Sequence, residues 1–154
     1  MKKTEEKLGD MTNKTTIDTT FFERCIETLT QAHQLLLTAD EESISYEMYR
    51  SACVKEFEII LEQSGKLLKK CLKPYFHSAK AVDKLTFKDI YRYSGQHGLI
   101  PIEEVERWLI YRDNRNNTAH DYGVDFAEHT LLLLKQFIID ANALAQVINR
   151  QSHQ

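Results

Sequence analysis

The sequence predicts an all-helical, up-and-down bundle, and three observations carry that prediction. Gly (5) and Pro (2) are scarce in 154 residues, so few positions interrupt a helix. Apolar residues recur at three- and four-residue spacing through long stretches of the chain, the periodicity of helices with one buried face. Hydrophobic residues make up 42% and charged residues 28%, a globular mixture that can fill one core. The length points to a single domain. The expected organisation is a disordered, aperiodic polar tail over residues 1–16 and a bundle over residues 17–152.

The first helix is expected from about Thr19 to Thr38, with the stripe Phe22, Cys25/Ile26, Leu29, Ala32/His33 and Leu36. His33 lies on that stripe without a ligand pattern around it, so it reads as a core histidine. The second helix is expected from about Ser45 to Leu72, burying Tyr49, Ala52/Cys53, Phe57, Ile60, Leu67/Leu68 and Cys71. Its end, Lys66-Leu-Leu-Lys-Lys-Cys-Leu-Lys73, sets cations where the helix dipole favours them. Without interleaved aromatics, that run reads as helix electrostatics rather than a nucleic-acid patch. Pro74 stops the helix, and a loop is expected over Tyr75–Leu85. Thr86 caps a short helix from Phe87 to about Gln96, and Gly98 ends it. Pro101 suits the first turn of the next helix, with Glu103 and Glu104 at its positive end. That helix should reach about Tyr122. The last one should run from about Asp125 to Arg150 on Phe126, Leu133/Leu134, Phe137/Ile138, Ala141, Leu144 and Val147/Ile148. Four long helices and one short one make a bundle of the expected kind.

Charge and cysteine usage exclude some classes. The net charge is −3, so contact with nucleic acid requires a local patch. No apolar run is expected to span a bilayer, and the first ten residues lack the apolar region of a signal peptide. Cys25, Cys53 and Cys71 all fall on apolar helical faces, as reduced core residues of a cytoplasmic protein do. There is no Cys-x-x-Cys zinc spacing and no glycine-rich phosphate loop. No cofactor is expected.

Chemistry concentrates in Arg115-Asn-Asn-Thr-Ala-His-Asp-Tyr122. Asn116, Asn117 and Thr118 are poor helix formers in succession. Together Arg, Asn, His and Tyr supply a fixed cation, an amide, a titratable base and a phenol, which suit phosphate chemistry. On a regular helix Arg115 and His120 would point about 140° apart. Trp108, Arg115 and Tyr122 form one stripe; Arg112, Asn116 and His120 form the next. One straight helix therefore cannot aim Arg115 and His120 at the same phosphate. Either the segment bends, or two copies pool their stripes across a two-fold axis. Trp108 and Tyr111 read as core or dimer-interface aromatics. A second Arg-x4-His string, Arg92 to His97, contains Gly95, expected to break its helix, and lacks an aromatic two residues after the His, so it reads as chance. Asp121, Asp125 and His129 are spaced four apart, but acidic residues near a helix start are common for dipole reasons, and no metal site is expected.

The string Trp108-Leu-Ile-Tyr-Arg-Asp-Asn-Arg-Asn-Asn-Thr-Ala-His-Asp-Tyr122 resembles the signature of HEPN proteins of the nucleotidyltransferase substrate-binding group. Phe57-Glu-Ile-Ile with Lys66-Leu-Leu-Lys, and Gly98-Leu-Ile, are similar to the corresponding segments of that group. The resemblance implies a helical homodimer with the signature helices at its interface, and a minimal nucleotidyltransferase (MNT) partner. It further implies toxin–antitoxin pairs in which the HEPN chain cuts RNA without metal. Arg115 and His120 would then be catalytic, with Asn116, Tyr122 and Arg112 supporting them, and Tyr122 would be the site of AMP attachment. The alternative is a non-enzymatic subunit that holds a nucleotide or substrate for the transferase. Asp113, Asp121 and Asp125 give this chain's motif unusually acidic surroundings for an RNA site.

Overall fold

The structure is a computed structural model that describes residues 16–118 and 124–152, without the side chains of residues 116–118 and 152. The expected N-terminal tail and the expected end of the signature helix fall outside the described residues. The elements are α1 (Thr20–Thr38), α2 (Ile44–Leu72), a 3-10 turn (Lys73–Tyr75), α3 (Ala79–Asp83), α4 (Phe87–Gln96), α5 (Ile102–Thr118) and α6 (Val124–Ser152). No strand occurs among the described residues.

Local chemistry sets the helix ends. Ser43 Oγ accepts from the Tyr46 N–H at 3.0 Å, capping α2. Thr86 and Asp89 form a reciprocal capping box at the start of α4. Gly98 takes φ 71° immediately after α4, in the left-handed region where a side chain would be strained. The Pro101 carbonyl accepts from Glu104 and Val105, opening α5. The expected loop over Tyr75–Leu85 is instead partly helical. Pro74 continues α2 as a 3-10 turn, and Ser78 Oγ accepts from the Ala81 N–H at 3.2 Å to start α3. Val82, on α3, is fully buried, so packing stabilises a helix too short to form alone. Gly95 does not break α4 either. It is where α4 meets α5: a Cβ there would lie 2.9 Å from Val105 Cγ2.

The long helices α1, α2 and α6 pack against one another, and α4 and α5 close the remaining side. The core is built from Leu29, Phe57, Ile60, Leu68, Leu134, Phe137 and Leu144, all fully buried. Trp108, also fully buried, stacks on Tyr91 with centroids 5.3 Å apart. Phe137 meets Phe57 at 4.5 Å and the edge of Tyr111 at 4.9 Å. Trp108 and Tyr111 are thus core aromatics. His33, expected in the core, is only half-buried, and that burial lowers its pKa. Burial raises the thiol pKa of each cysteine to about 11. They remain protonated near neutrality and unsuited to nucleophilic work.

One composition-based expectation needs correcting. By length and composition, α6 alone among the described helices could cross a bilayer. Both of its faces carry apolar residues, with Leu134 and Phe137 inward and Leu132 and Ile139 exposed. The inward face packs on the bundle, and the helix carries the buried Asp140.

Asp140 joins α6 to α5. Arg107 donates from Nε and Nη2 to its two carboxylate oxygens, each at 2.8 Å. The Tyr111 hydroxyl donates at 2.5 Å and Gln136 Nε2 at 3.1 Å. Near the other end of the contact, Asn114 Nδ2 donates to Thr130 Oγ1 at 3.2 Å. Pairing 107 with 140 and 114 with 130 makes the two helices antiparallel. Burial alone would raise the Asp140 pKa, but donation from Arg107, Tyr111 and Gln136 outweighs it and holds the carboxyl below its usual range.

A lowered folded-state pKa stabilises the fold above the ordinary Asp value of about 3.9, and that contribution is lost as pH falls through the lower folded value. Arg107→Met should leave a buried carboxylate without its cation and destabilise the protein by about 2–4 kcal/mol near neutral pH. With Arg107 gone, burial raises the Asp140 pKa, so the deficit should shrink as pH falls from that raised value toward the lowered value of the unsubstituted protein. Urea unfolding at several pH values checks both statements, and a deficit independent of pH would contradict them.

Candidate functional site

The C-terminal part of α5 is held on three sides immediately before the motif. Four consecutive residues each reach another element. Tyr111 donates to Asp140 on α6. The Arg112 guanidinium lies 4.5 Å over the Phe87 ring of α4, with Nη1 4.0 Å from Glu62 on α2. Asp113 pairs with Lys88 of α4 at 2.8 Å. Asn114, buried, bonds to Thr130 of α6. Helical periodicity sends successive side chains about 100° apart, so neighbours on three sides can each be reached by one turn of helix.

This turn presents the motif. Arg112 and Arg115 lie on α5, half-buried. Asn116 is a helical position one turn beyond Arg112, and its side chain falls outside the described residues. His120 and Tyr122 also lie outside them, as does the angular relation between Arg115 and His120. Arg112 and Arg115 are three residues apart, neighbours along the helix surface, and together give the end of α5 a pair of planar cations suited to phosphate oxygens. The acidic surroundings are partly neutralised: Asp113 is tied to Lys88, and Asp125 is exposed. Among the described residues no group of three His, Cys, Asp or Glu side chains is gathered as a metal site, and His129 is exposed.

Sequence reasoning passed over Asn114, Arg107 and Asp140. An Asn inside a helical pattern and an Asp on the apolar stripe of α6 were the available signals, since neither residue favours a helix interior or a core without a partner. The partners, Thr130 and Arg107, are 16 and 33 residues away.

Residues 18–150 match the family described as nucleotidyltransferase substrate binding protein like. A Haemophilus influenzae protein named probable ribonuclease HepT is 27% identical over 110 residues, 71% of this chain and 74% of the relative. The solved structure of HI0074 from Haemophilus influenzae, described as the fold of a substrate binding domain of a nucleotidyltransferase, superposes with a TM-score of 0.72. That match, at 22% identity, covers 86% of this chain and 99% of the other. With the family spanning every described helix, this chain belongs to the nucleotidyltransferase substrate binding protein like family, a HEPN-type group.

Proposed function

We propose that this protein is a metal-independent endoribonuclease of the HEPN type, silenced by a minimal nucleotidyltransferase partner in a toxin–antitoxin pair. The observation that carries the reading is the complete Arg115, Asn116, His120, Tyr122 motif following a helix turn pinned on three sides. The relative named probable ribonuclease supports it. Rigid support just before a motif reduces the cost of holding reacting groups in place.

In the proposed reaction His120 takes the proton from a ribose 2′-hydroxyl, a task suited to an imidazole with an ordinary pKa near 6.5. The 2′-oxygen bonds to the adjacent phosphorus and the bond from phosphorus to the 5′-oxygen breaks. The products are a 2′,3′-cyclic phosphate and a 5′-hydroxyl, whose oxygen takes up a proton. Arg115 stabilises the charge that accumulates on the phosphorane, Arg112 and Asn116 orient the substrate, and Tyr122 lines the phosphate site. DNA lacks the nucleophile and is spared. A homodimer through the ends of α5 would combine Arg115 of one copy with His120 of the other. Ile110 on α5 and Leu132 and Ile139 on α6 leave large apolar side chains exposed, surface that such an interface would cover. The proposed location is the cytoplasm.

The second reading is a non-enzymatic subunit that presents a nucleotide or substrate to a transferase. The family description and the match to HI0074 favour it. The two readings separate on catalysis.

Three outcomes are expected. Purified protein cleaves RNA in EDTA, and His120→Ala lowers the rate by about 10²–10⁴-fold without loss of helical circular dichroism. Cleavage that stops in EDTA and returns with added metal contradicts the mechanism, and no cleavage at all favours the binding subunit. Sedimentation shows a dimer at micromolar concentration; a strict monomer would exclude the composite site. Co-expression with a neighbouring transferase moves AMP from ATP to the Tyr122 hydroxyl, which loses its proton as pyrophosphate leaves, and the adduct is seen by mass spectrometry. The added phosphodiester fills the anion site of Arg115 and blocks RNA. Tyr122→Phe should keep much of the activity and escape this silencing, while an unmodified Tyr122 in a fully inhibited complex would mean steric occlusion instead.

A further inference from the structure

The charge of this chain is unevenly spread. Residues 66–97 hold eight Lys or Arg against Asp83 and Asp89, a local net of +6 in a chain of net −3. The helix dipole accounts for Lys69 and Lys70 in the last turn of α2, but its influence fades within one turn. It does not account for Lys66, or for Lys80, Lys84, Lys88 and Arg92 beyond the helix.

Geometry orders part of this charge. Glu62, Lys66 and Lys69 on α2, with Lys73 opening the 3-10 turn that continues it, stand at i, i+4, i+7 and i+11, one helical face about 16 Å long. At its upper end Glu62 meets Arg112 of the candidate site at 4.0 Å. Lys66 and Lys73 are exposed, and Lys69 pairs with Asp83 of α3 at 3.5 Å. At the lower end the 3-10 turn brings Tyr75 onto His97, the residue after α4. The two rings stack with centroids 4.1 Å apart and planes 22° from parallel. Both are exposed, Tyr75 by 47%. Phe76 braces the pair by meeting Tyr93 edge-on at 5.3 Å.

We propose that the Lys66–Lys69–Lys73 face of α2 and the stacked Tyr75–His97 pair form a track for single-stranded RNA leading to the Arg112 end of the candidate site. A row of cations followed by an accessible stacked aromatic pair is the chemistry that holds single strands, with phosphates on the lysines and a base continuing the ring stack. The choice of RNA rests on the ribonuclease reading; the binding surface does not.

The test is fluorescence anisotropy of a labelled oligouridine with the full chain carrying His120→Ala, which leaves the RNA intact. Tyr75→Ala should weaken binding by roughly 5- to 100-fold, and Tyr75→Phe, which preserves the stack, should restore it. Lys66→Glu with Lys73→Glu should weaken binding and reduce the slope of log affinity against log salt by about 1–2. Lys135→Glu, an exposed lysine on α6, should change little. No RNA binding, or binding indifferent to both the Tyr75→Ala and lysine variants, overturns the track. Lysine variants that lose the transferase partner but keep RNA also overturn it and assign the patch to an acidic protein. Track-dependent binding without cleavage by the unsubstituted chain keeps the track and sinks the nuclease reading.

Discussion

Asp140 is the one charged side chain fully buried among the described residues, and the placement of α5 depends on it. A lone carboxylate in that position would cost several kcal/mol. Two nitrogens of Arg107, the Tyr111 hydroxyl and Gln136 offset that cost. Because Arg107 and Tyr111 are one helical turn apart, satisfying Asp140 fixes both the rotation of α5 and its register along α6. Sliding α5 by one residue would strand the carboxylate and withdraw Trp108 from Tyr91. Apolar packing tolerates small shifts, whereas a bidentate ion pair does not. The specificity of this helix pair is therefore polar, within a core that is mostly apolar.

The consequence is felt at Arg112–Asn114. Once Tyr111 is fixed, the next three residues fall in register with Phe87 and Glu62, Lys88, and Thr130. Arg112 can lie over a ring because that ring is itself wedged between helices, with Phe87 against Gly65 of α2. The ring holds the plane of the guanidinium. Arg115 thereby follows a turn tied to three other helices, and the α5 backbone continues through Thr118 although asparagines and threonine in succession would not by themselves hold a helix.

Charge is partitioned in the same structure. The acidic excess lies outside residues 66–97, so the net charge of −3 hides a basic region beside the candidate site. Potentials near a surface follow such local sums rather than the total.

The helices that carry the fold are legible in local sequence. The 3.6-residue stripes, Thr86 before α4, and Gly98 and Pro101 between α4 and α5 are local signals, set by periodicity and backbone preference acting within a few residues. The motif from Arg115 to Tyr122 was legible for the same reason, since it is contiguous, although His120 and Tyr122 are known from the sequence alone. Reading stopped where an effect needed two distant segments. Lys66–Lys73 has no aromatics in its own sequence, and the string from Arg92 to His97 has no functional neighbour in its own. The 3-10 turn after Pro74 brings Tyr75 onto His97, 22 residues later. The short helix α3 exists because Val82 finds the core. Asp140 is a misplaced charge in the sequence and a satisfied acceptor in the fold. These features emerge in the folded chain, because whether a polar or aromatic group has a partner depends on proximity in space, which local periodicity does not encode.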